Sequence, residues 1–342
     1  MFARLTRTAP AFWERPSGII TDLLLPLGTA WDGVGRLRRA LSPSYSAPVP
    51  VVCIGNLVAG GTGKTPVTIA LCSWLLERNV RVHVVSRGYG GRLHGPIRVD
   101  RSSHDAPAVG DEALMLAARA PCWVSRDRVA GARAAVAAGA SAIVLDDGFQ
   151  DPAIGKTLAL IVVDAEYGFG NGRVIPAGPL RENLRGGIAR SDAVVVLGAE
   201  AKETGVEQTC TAIGRAVIRG TLAPIAGERL AGERLLAFAG IGRPEKFFAT
   251  LRRLGAILVD ARAFPDHRLY RAGEIDLLRR NAADSGARLI TTRKDIERLP
   301  PELRVGIEVL EVEVCWLDPA AIAQLIAPLI FPAGGNGRVP AD

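Results

Sequence analysis

The sequence predicts an α/β protein that is P-loop NTPase-like, with a largely parallel sheet and helices on both of its faces. Three observations support this fold class. Short β-branched runs alternate with helical stretches from Val49 to Leu197, a glycine-rich turn follows the first run, and two carboxylates close a later one. Because ligands of such sheets bind beyond the carboxyl ends of the strands, we expect the motifs at these ends to form one site.

Shifts in composition divide the 342 residues into four expected parts. They are an N-terminal amphipathic segment with a linker at 1–48, a P-loop domain at 49–225, a smaller α/β domain at 226–330 and a flexible tail at 331–342. A second set of strand and helix patterns begins near Leu235, and the polar stretch Glu200–Gln208 is the candidate boundary.

Apolar periodicity assigns the individual elements. The predicted strands are Val51–Ile54, Val80–Val85, Ala142–Leu145, Leu158–Val163, Ala193–Leu197, Leu235–Ala239, Ile257–Val259 and Arg288–Thr291. The predicted helices are Pro66–Arg78, Asp111–Ala120, Val129–Ala138, Glu245–Leu254 and Ala272–Arg280.

The most specific motif is a phosphate-binding loop after the apolar run Val51–Ile54. Its residues are expected to surround the phosphates of a nucleoside triphosphate: Val58, Ala59, Gly60, Gly61, Thr62, Gly63, Lys64 and Thr65. Glycines let backbone N–H groups approach the oxygens, Lys64 reaches the β- and γ-phosphates, and the Thr65 hydroxyl can ligate Mg²⁺. The strict pattern has glycine where this chain has Val58, so the loop is a variant, and a glycine-rich turn with a chance Lys-Thr is the alternative.

Two adjacent aspartates, Asp146 and Asp147, close an apolar strand before Gly148. An aspartate at the end of a buried strand holds Mg²⁺ in P-loop enzymes, and the alternative is an ordinary Asp-Gly turn. Adjacent residues of an extended chain point to opposite sides, so one aspartate can face the metal while the other anchors the loop or faces the acceptor.

Two further groups are candidates for acid–base chemistry. Asp111 and Glu112 open a predicted helix after Gly110, so they are either an ordinary acidic helix start or include a general base that accepts a hydroxyl proton. Asp266-His267 is the other candidate, because a carboxylate beside an imidazole can tune the imidazole near neutral pH.

The net charge of +7 is carried mostly by arginine and indicates affinity for phosphate-bearing or anionic partners. Aromatic residues make up only 5% and no nucleic-acid-binding pattern is found, so we expect a membrane face or a small anionic substrate and no nucleic acid. Four arginines that follow apolar segments are candidates for neutralising a transferred phosphoryl group: Arg87, Arg126, Arg128 and Arg181. Five scattered cysteines without a CxxC pair predict a reduced, cytosolic chain without a metal cluster.

The first 48 residues contain an apolar run, Ile19–Leu27, that is interrupted by Asp22 and Pro26. A spanning helix needs ~20 predominantly apolar residues, so this run is too short to span a membrane, and its interruptions also argue against a signal peptide. Arginines flank the run on both sides: Arg4, Arg7, Arg15, Arg36, Arg38 and Arg39. The pattern fits a helix lying in the membrane interface, and an amphipathic helix packed on its own domain is the alternative.

A series of motifs follows in order along the chain. They are Val49-Pro50-Val51-Val52, Gly55-Asn56, the loop Gly60–Pro66, Ser86-Arg87-Gly88-Tyr89-Gly90-Gly91, Gly110-Asp111-Glu112, Asp146-Asp147-Gly148-Phe149-Gln150, Phe169-Gly170-Asn171-Gly172, Pro176-Ala177-Gly178-Pro179-Leu180-Arg181-Glu182, Ala239-Gly240-Ile241-Gly242, Asp266-His267 and Thr292-Arg293-Lys294-Asp295. Together they resemble the tetraacyldisaccharide 4'-kinase family, the lipid A 4'-kinases.

The resemblance implies transfer of the γ-phosphate of ATP to the 4'-hydroxyl of a tetraacylated glucosamine disaccharide 1-phosphate. The product is lipid IVA, an intermediate of lipid A biosynthesis, and the implied cofactors are ATP and Mg²⁺. It also implies a peripheral enzyme on the cytoplasmic face of a bacterial inner membrane. The expected partners are the glycolipid substrate and the anionic membrane surface, and we expect a monomer.

The resemblance also implies roles for single residues. Lys64 and Thr65 would take the phosphate and Mg²⁺ roles, and Asp111 would be the catalytic base, aided by His267. Asp146 and Asp147 would serve the metal and the charge network, with Lys64 and Asp147 counted among the catalytic residues. The residues expected to line the site are Arg87, Glu112, Arg128, Gln150, Arg181 and Glu182.

Three positions depart from the family pattern: Ala113 replaces a proline, Asp151 a histidine and Arg293 a glutamate. The change at Asp151 puts any role of that histidine in question. A nucleotide-switch or metal-delivery GTPase is a second hypothesis, but no Asn-Lys-x-Asp motif is found and Thr292–Asp295 matches it only in part. A third is a non-catalytic membrane scaffold that binds nucleotide, and the acids at 111, 112, 146 and 147 argue against it.

Overall fold

The computed structural model describes residues 10–15, 18–198 and 205–330. Its strands are β1 Val51–Gly55, β2 Val82–Ser86, β3 Ile97–Arg98, β4 Cys122–Val124, β5 Ala142–Asp146, β6 Leu158–Asp164, β7 Ala193–Leu197, β8 Ala216–Pro224, β9 Arg234–Ala239, β10 Ile257–Ala263, β11 Arg288–Thr292, β12 Ile307–Leu310 and β13 Val312–Trp316. Its α-helices are α1 Ile19–Leu41, α2 Lys64–Glu77, α3 Ala106–Val109, α4 Asp111–Ala117, α5 Arg128–Ala137, α6 Leu184–Ala189, α7 Gly205–Ala212, α8 Pro244–Arg253, α9 Ala272–Asp284, α10 Arg293–Glu297 and α11 Pro319–Ile330. Short 3₁₀ helices occur at Ala11–Glu14, Gly227–Leu230 and Pro301–Leu303.

Nine strands form one sheet in the order β13-β8-β7-β6-β1-β5-β2-β4-β3. The seven strands from β8 to β4 in this order are parallel, and the two edge strands are antiparallel to their neighbours. The central strands β1 and β5 are buried at every position, as expected for strands covered on both faces. The predicted fold class, a largely parallel P-loop-like sheet with helices on both faces, is confirmed.

Helices cover both faces of this sheet. On one face, α2, α4 and α11 bury apolar side chains that include Leu71, Leu114 and Ile326. On the other face, α5, α6 and α7 contribute residues such as Ala132 and Ile188. Strands β1 and β5 are neighbours with Ile54 paired to Asp146, so the turns that follow them lie side by side.

The remaining strands form a second, all-parallel sheet in the order β10-β9-β11-β12. Helix α8 packs on one face through Phe247, Phe248 and Leu251, and α9 packs on the other through Ile275 and Leu278. We call this sheet with α8, α9 and α10 the second unit, and the nine-stranded sheet with its helices the first unit.

The last described elements return to the first unit. Strand β13 pairs antiparallel with β8, and α11 buries Ile322 and Ile326 in the same core as α2. The second sheet thus spans Arg234–Leu310, which differs from the expected range 226–330, because β13 closes an edge of the first sheet. Arg4, Arg7, the expected tail at 331–342 and residues 200–204 of the candidate boundary lie outside the described residues.

Helix α1 packs through its small and polar side. Thr21, Gly28 and Asp32 are buried, whereas the apolar residues Ile19 and Leu23 are exposed. Among the described residues, no helix combines the length and the apolar character that crossing a membrane requires.

Candidate active site

The phosphate-binding loop joins β1 to α2. Gly63 has a φ of +86°, a left-handed conformation that favours glycine. The Asn56 side chain stabilises the loop, because its Nδ2 donates to the Gly60 carbonyl and to Thr62 Oγ1, each at 3.3 Å. Lys64 is the first residue of α2, so the positive end of a 14-residue helix closes the loop.

The front of the same loop is tied to the segment around Leu180. Val58 is buried and forms a bridge to Leu180, and the Ala59 N–H donates to the Pro179 carbonyl at 2.8 Å. Gly60 and Gly61 are exposed, so their backbone remains accessible to a ligand. The variant residue Val58 therefore anchors the loop in the core.

Asp146, the last residue of β5, is buried. Ser86 Oγ donates to its Oδ2 at 3.2 Å, and its Oδ1 is buried without a hydrogen-bond partner among the described residues. Burial raises the pKa of Asp146 to about 7, and the neighbouring carboxylates Glu112 and Asp147 act in the same direction. A buried carboxylate oxygen without a partner is an incomplete site for a cation.

Asp147 has different surroundings. Its Oδ1 lies 3.8 Å from Lys64 Nζ, and Arg181 Nη1 donates to Oδ1 at 2.9 Å and to Oδ2 at 3.1 Å. Burial alone would raise the pKa of Asp147, but Lys64 and Arg181 outweigh it and lower the pKa to about 2. Asp147 is therefore ionised at neutral pH and holds two cations beside the loop.

Arg128 lies behind these aspartates. It is buried, its Nη2 donates to the Asp147 carbonyl at 2.7 Å, and its Nη1 donates to Asp151 Oδ2 at 3.0 Å. Burial opposes ionisation of Asp151, but the Ala153 N–H and Arg128 lower its pKa below the ordinary value. The residue that replaces the family's usual histidine thus forms an ion pair that fixes the turn after β5.

The acid pair at the start of α4 faces the second unit. Arg298 Nε donates to Asp111 Oδ2 at 2.5 Å, and His267 Nδ1 lies 3.5 Å from the same oxygen. Burial alone would raise the pKa of Asp111, but His267, Lys294 and Arg298 together hold it well below its ordinary value. Asp111 is therefore a carboxylate at neutral pH.

His267 is oriented by its own neighbours. Its Nε2 lies 3.4 Å from Lys294 Nζ, and the Tyr89 ring packs edge-on against it at a centroid distance of 5.1 Å. A lysine ammonium has only donors, so Nε2 is the accepting nitrogen and Nδ1 carries the hydrogen that faces Asp111. Lys294 also donates to Glu112 Oε1 at 3.0 Å, which places it between the histidine and the second acid.

The acids on α4 and the phosphate-binding loop both lie next to the second unit. A Cβ built on Gly242, in the turn after β9, would lie 3.8 Å from the Gly61 nitrogen and 3.4 Å from Asp266 Oδ2. The second unit therefore approaches the loop at Gly61 and the first acid of α4 at Asp111.

The segments after β5 and before α6 contact each other and Asn56 at the phosphate-binding loop. Gln150 Nε2 donates to the Asn56 carbonyl at 2.8 Å and to Glu182 Oε1 at 3.2 Å. Glu182 is buried, and its Oε2 lies 2.7 Å from Arg190 and 3.4 Å from Arg39 of α1. Helix α1 thus borders the site.

The four predicted arginines differ in their contacts with these acids. Arg87 and Arg126 are exposed, and neither side chain donates a hydrogen bond to any residue that the structure describes. Arg128 and Arg181, in contrast, both contact Asp147.

Sequence reasoning assigned no role to Arg298 or Asn56, and named Lys294 only within a motif. Arg298 reaches Asp111 across 187 positions of the chain, and no local spacing reports such a contact. The one local signal is Asp295-x-x-Arg298, which places the two side chains on one helical face.

The chain is similar to known proteins of one family. The family profile described as tetraacyldisaccharide-1-P 4'-kinase, LpxK, matches residues 20–330. Tetraacyldisaccharide 4'-kinase from Rhodospirillum centenum is 50% identical over 337 residues, covering 96% of this chain and 99% of that protein. Tetraacyldisaccharide 4'-kinase from Dinoroseobacter shibae is 47% identical over 329 residues, covering 94% of this chain and 97% of that protein.

A solved structure shares the fold. LpxK from Aquifex aeolicus, crystallised in complex with ATP, superposes with a TM-score of 0.74 at 24% sequence identity, covering 92% of this chain and all of that one. The profile match extends over most of the chain, and the two relatives exceed 45% identity over nearly their full length. The chain therefore belongs to the tetraacyldisaccharide 4'-kinase family.

Proposed function

We propose that this protein transfers the γ-phosphoryl group of ATP to the 4'-hydroxyl of a tetraacylated glucosamine disaccharide 1-phosphate, forming lipid IVA for lipid A biosynthesis. The observation that carries the proposal is that, in a chain of this kinase family, the loop with Lys64 and the carboxylate of Asp111 lie against the same part of the second unit. The first supplies a phosphate site, and the second supplies a base.

The transfer forms one bond and breaks one. The 4'-oxygen bonds to the γ-phosphorus, the bond from that phosphorus to the β,γ-bridging oxygen breaks, and ADP leaves with the electron pair. The hydroxyl proton passes to Asp111, which is ionised at neutral pH because three cationic or donor groups surround it. His267 Nδ1, 3.5 Å from Asp111 Oδ2, helps to keep the carboxylate oriented.

The loop acts on the phosphates. The exposed backbone at Gly60 and Gly61 and the N-terminus of α2 bind phosphate oxygens, and Lys64 neutralises the charge that grows on the leaving group. Asp147 holds Lys64 and Arg181 in place before nucleotide arrives. The protein's contribution is thus mainly positioning and electrostatic stabilisation.

The residues fit Mg²⁺, which when bound would neutralise phosphate charge. Its protein ligands would be the Thr65 hydroxyl and Asp146, since hard oxygen donors suit this ion and Asp146 Oδ1 lacks a partner among the described residues. Asp147 already binds Lys64 and Arg181, so we assign it a supporting part. No described group of three or more His, Cys, Asp or Glu side chains is placed to bind a metal, and Mg²⁺ in such enzymes needs only one or two carboxylates besides phosphate and water.

The test of the function is transfer of ³²P from [γ-³²P]ATP to the purified disaccharide 1-phosphate. We expect acceptor-dependent product, and a loss of about a hundredfold or more in kcat/KM for Lys64→Ala, because a positioned charge at a transition state is worth that much. Arg253→Ala, an exposed change on α8, serves as the control. Absence of acceptor-dependent transfer by the wild-type protein, or full activity in Lys64→Ala, would refute the proposal.

We also propose that α1 holds the enzyme on the cytoplasmic face of the inner membrane. The helix exposes six apolar residues that are each between 58% and 81% accessible: Ile19, Leu23, Leu27, Val34, Leu37 and Leu41. At 3.6 residues per turn they fall within about a quarter of the helix circumference, opposite Thr21, Gly28 and Asp32. Full burial of one such side chain is worth about 1.5–3 kcal/mol, so this stripe suits the edge of a bilayer.

Flotation with vesicles of phosphatidylethanolamine and phosphatidylglycerol tests this membrane contact. We expect the combined change Leu23→Gln, Leu27→Gln and Val34→Gln to reduce the vesicle-bound fraction about tenfold or more, because each buried side chain contributes more than 1 kcal/mol. The matched control changes three residues outside α1 that are at least 52% accessible, Leu277, Val305 and Leu317, to glutamine. Equal flotation of the α1 variant and the control would contradict the assignment.

A further inference from the structure

Arg298, the residue after α10, is a buried arginine that joins the two units. Its side chain is 2% exposed. Nε donates to Asp111 Oδ2 at 2.5 Å, Nη1 donates to Asp295 Oδ1 at 3.1 Å and to the Gly240 carbonyl, and Nη2 lies 3.5 Å from Asp266 Oδ1. Asp111 belongs to the first unit, and the other acceptors belong to the second.

The second unit holds this arginine independently of Asp111. Asp295 is fully buried, and it accepts hydrogen bonds from Tyr270 Oη at 2.8 Å, from the Gly240 N–H at 2.9 Å and from Thr292 Oγ1 at 2.6 Å. The planar guanidinium is therefore fixed before it meets the first unit. This explains the Thr292–Asp295 motif, whose aspartate is the support of Arg298.

The contact between Arg298 and Asp111 also determines which carboxylate oxygen of Asp111 is available. Oδ2 is engaged by Arg298 and faces His267, whereas Oδ1 accepts a hydrogen bond from the Glu112 N–H and from no other described residue. A carboxylate oxygen has two lone pairs, so Oδ1 retains one for the hydroxyl proton of the acceptor.

We propose that Arg298 is a positioning residue for phosphoryl transfer, which directs Oδ1 of Asp111 toward the acceptor and makes assembly of the base depend on docking of the second unit. The inference rests on the proposed function, since it concerns the residue assigned as the base. Arg298 acts through Asp111.

Removing the guanidinium has a defined electrostatic consequence. Asp111 faces the cations Arg298 and Lys294 and the imidazole of His267, with Glu112 and Asp266 as nearby acids. Loss of one cation weakens stabilisation of the carboxylate, so the pKa of Asp111 rises. The base is then protonated at a higher pH, and the acid limb of the kcat profile moves upward in pH.

The experiment compares Arg298→Gln with Arg298→Lys, using kcat, KM for ATP and the pH profile of kcat. We expect Arg298→Gln to lower kcat about a hundredfold, the cost of a misplaced reacting group, with KM for ATP within about threefold of wild type. The acid limb of the kcat–pH profile of Arg298→Gln should move to higher pH. In Arg298→Lys this limb should lie closer to its wild-type position. Arg279→Gln, which removes an arginine bound to the Leu303 and Val305 carbonyls of the same unit, is the control and should keep wild-type kcat.

A second comparison separates positioning from simple loss of folding. In an Asp111→Asn background, a further Arg298→Gln change should alter the residual kcat by less than about twofold, because coupled residues are not additive. Equal losses in both backgrounds, or an unmoved acid limb in the single variants, would overturn the inference. A wild-type protein that shows no acceptor-dependent transfer would refute the proposed function instead, so the two failures are distinguishable.

Discussion

Two of the ion-pair contacts between the first unit and the second each set two acids of the first unit against an arginine and a lysine of the second. The outer contact involves two acids at and just after the end of β6, Asp164 and Glu166. They form ion pairs with Arg243, in the turn before α8, and with Lys246, in α8. In the inner contact, Asp111 and Glu112 of α4 meet Arg298 and Lys294.

The two contacts differ in burial. Lys246 is 41% and Glu166 73% exposed, whereas Asp111 is 4% exposed and Arg298 is almost inaccessible. Exposed ion pairs contribute about 0–1 kcal/mol, but breaking a buried pair costs about 3–5 kcal/mol because a charge is left unpaired. The same charge pattern can therefore hold two units loosely at one place and fix reacting groups at another.

Of the lysines in these two contacts, Lys294 of the inner one is expected to give the larger effect when it is changed to glutamine. Burial lowers the pKa of Lys294, but Glu112, Asp111 and Asp266 outweigh it and raise the pKa, so the side chain is a cation at neutral pH. Its loss leaves Glu112 without its ion pair and releases Nε2 of His267, and we expect kcat to fall about tenfold, or about 1.4 kcal/mol. Steady-state kinetics with saturating ATP and acceptor measure this change.

The same substitution at the outer contact, Lys246→Gln, should have the smallest effect. Lys246 Nζ binds Asp164 at 2.7 and 2.8 Å, but it is well solvated, so we expect kcat within about twofold and a change in the free energy of unfolding below about 1 kcal/mol. Chemical denaturation and the kinetic assay measure both quantities. If Lys246→Gln lost more activity than Lys294→Gln, the assignment of the inner contact to positioning would be wrong.

Much of the fold could be predicted because its signals are local. The strand ahead of the loop, the helix after it and the alternation through Leu197 each follow from short patterns, and the helix that was expected from Pro66 begins at Lys64. Strands β3, β4, β8, β12 and β13 were not predicted, because short or half-exposed segments such as Cys122–Val124 carry little periodicity. The return of α11 to the first unit depends on long-range packing of Ile322 and Ile326.

The candidate site likewise has parts that local sequence patterns predict and parts that depend on long-range contacts. The loop residues and Asp146–Asp147 lie next to recognisable strands, so their place at one sheet edge follows from the topology. The proximity of Asp111 to His267 was expected from the resemblance, and the structure places their side chains 3.5 Å apart. Arg298 and the outer contact are tertiary pairings between distant segments, which no local pattern encodes.

Asp111→Asn tests the central claim, that the carboxylate fixed by the inner contact accepts the proton of the 4'-hydroxyl. The variant keeps the shape of the side chain and removes its basicity, so we expect kcat to fall about 10²–10⁴-fold. Calorimetry should show an unchanged Kd for ATP, because no described contact joins Asp111 to the phosphate-binding loop. A variant that binds ATP normally and turns over within about threefold of wild type would contradict the account.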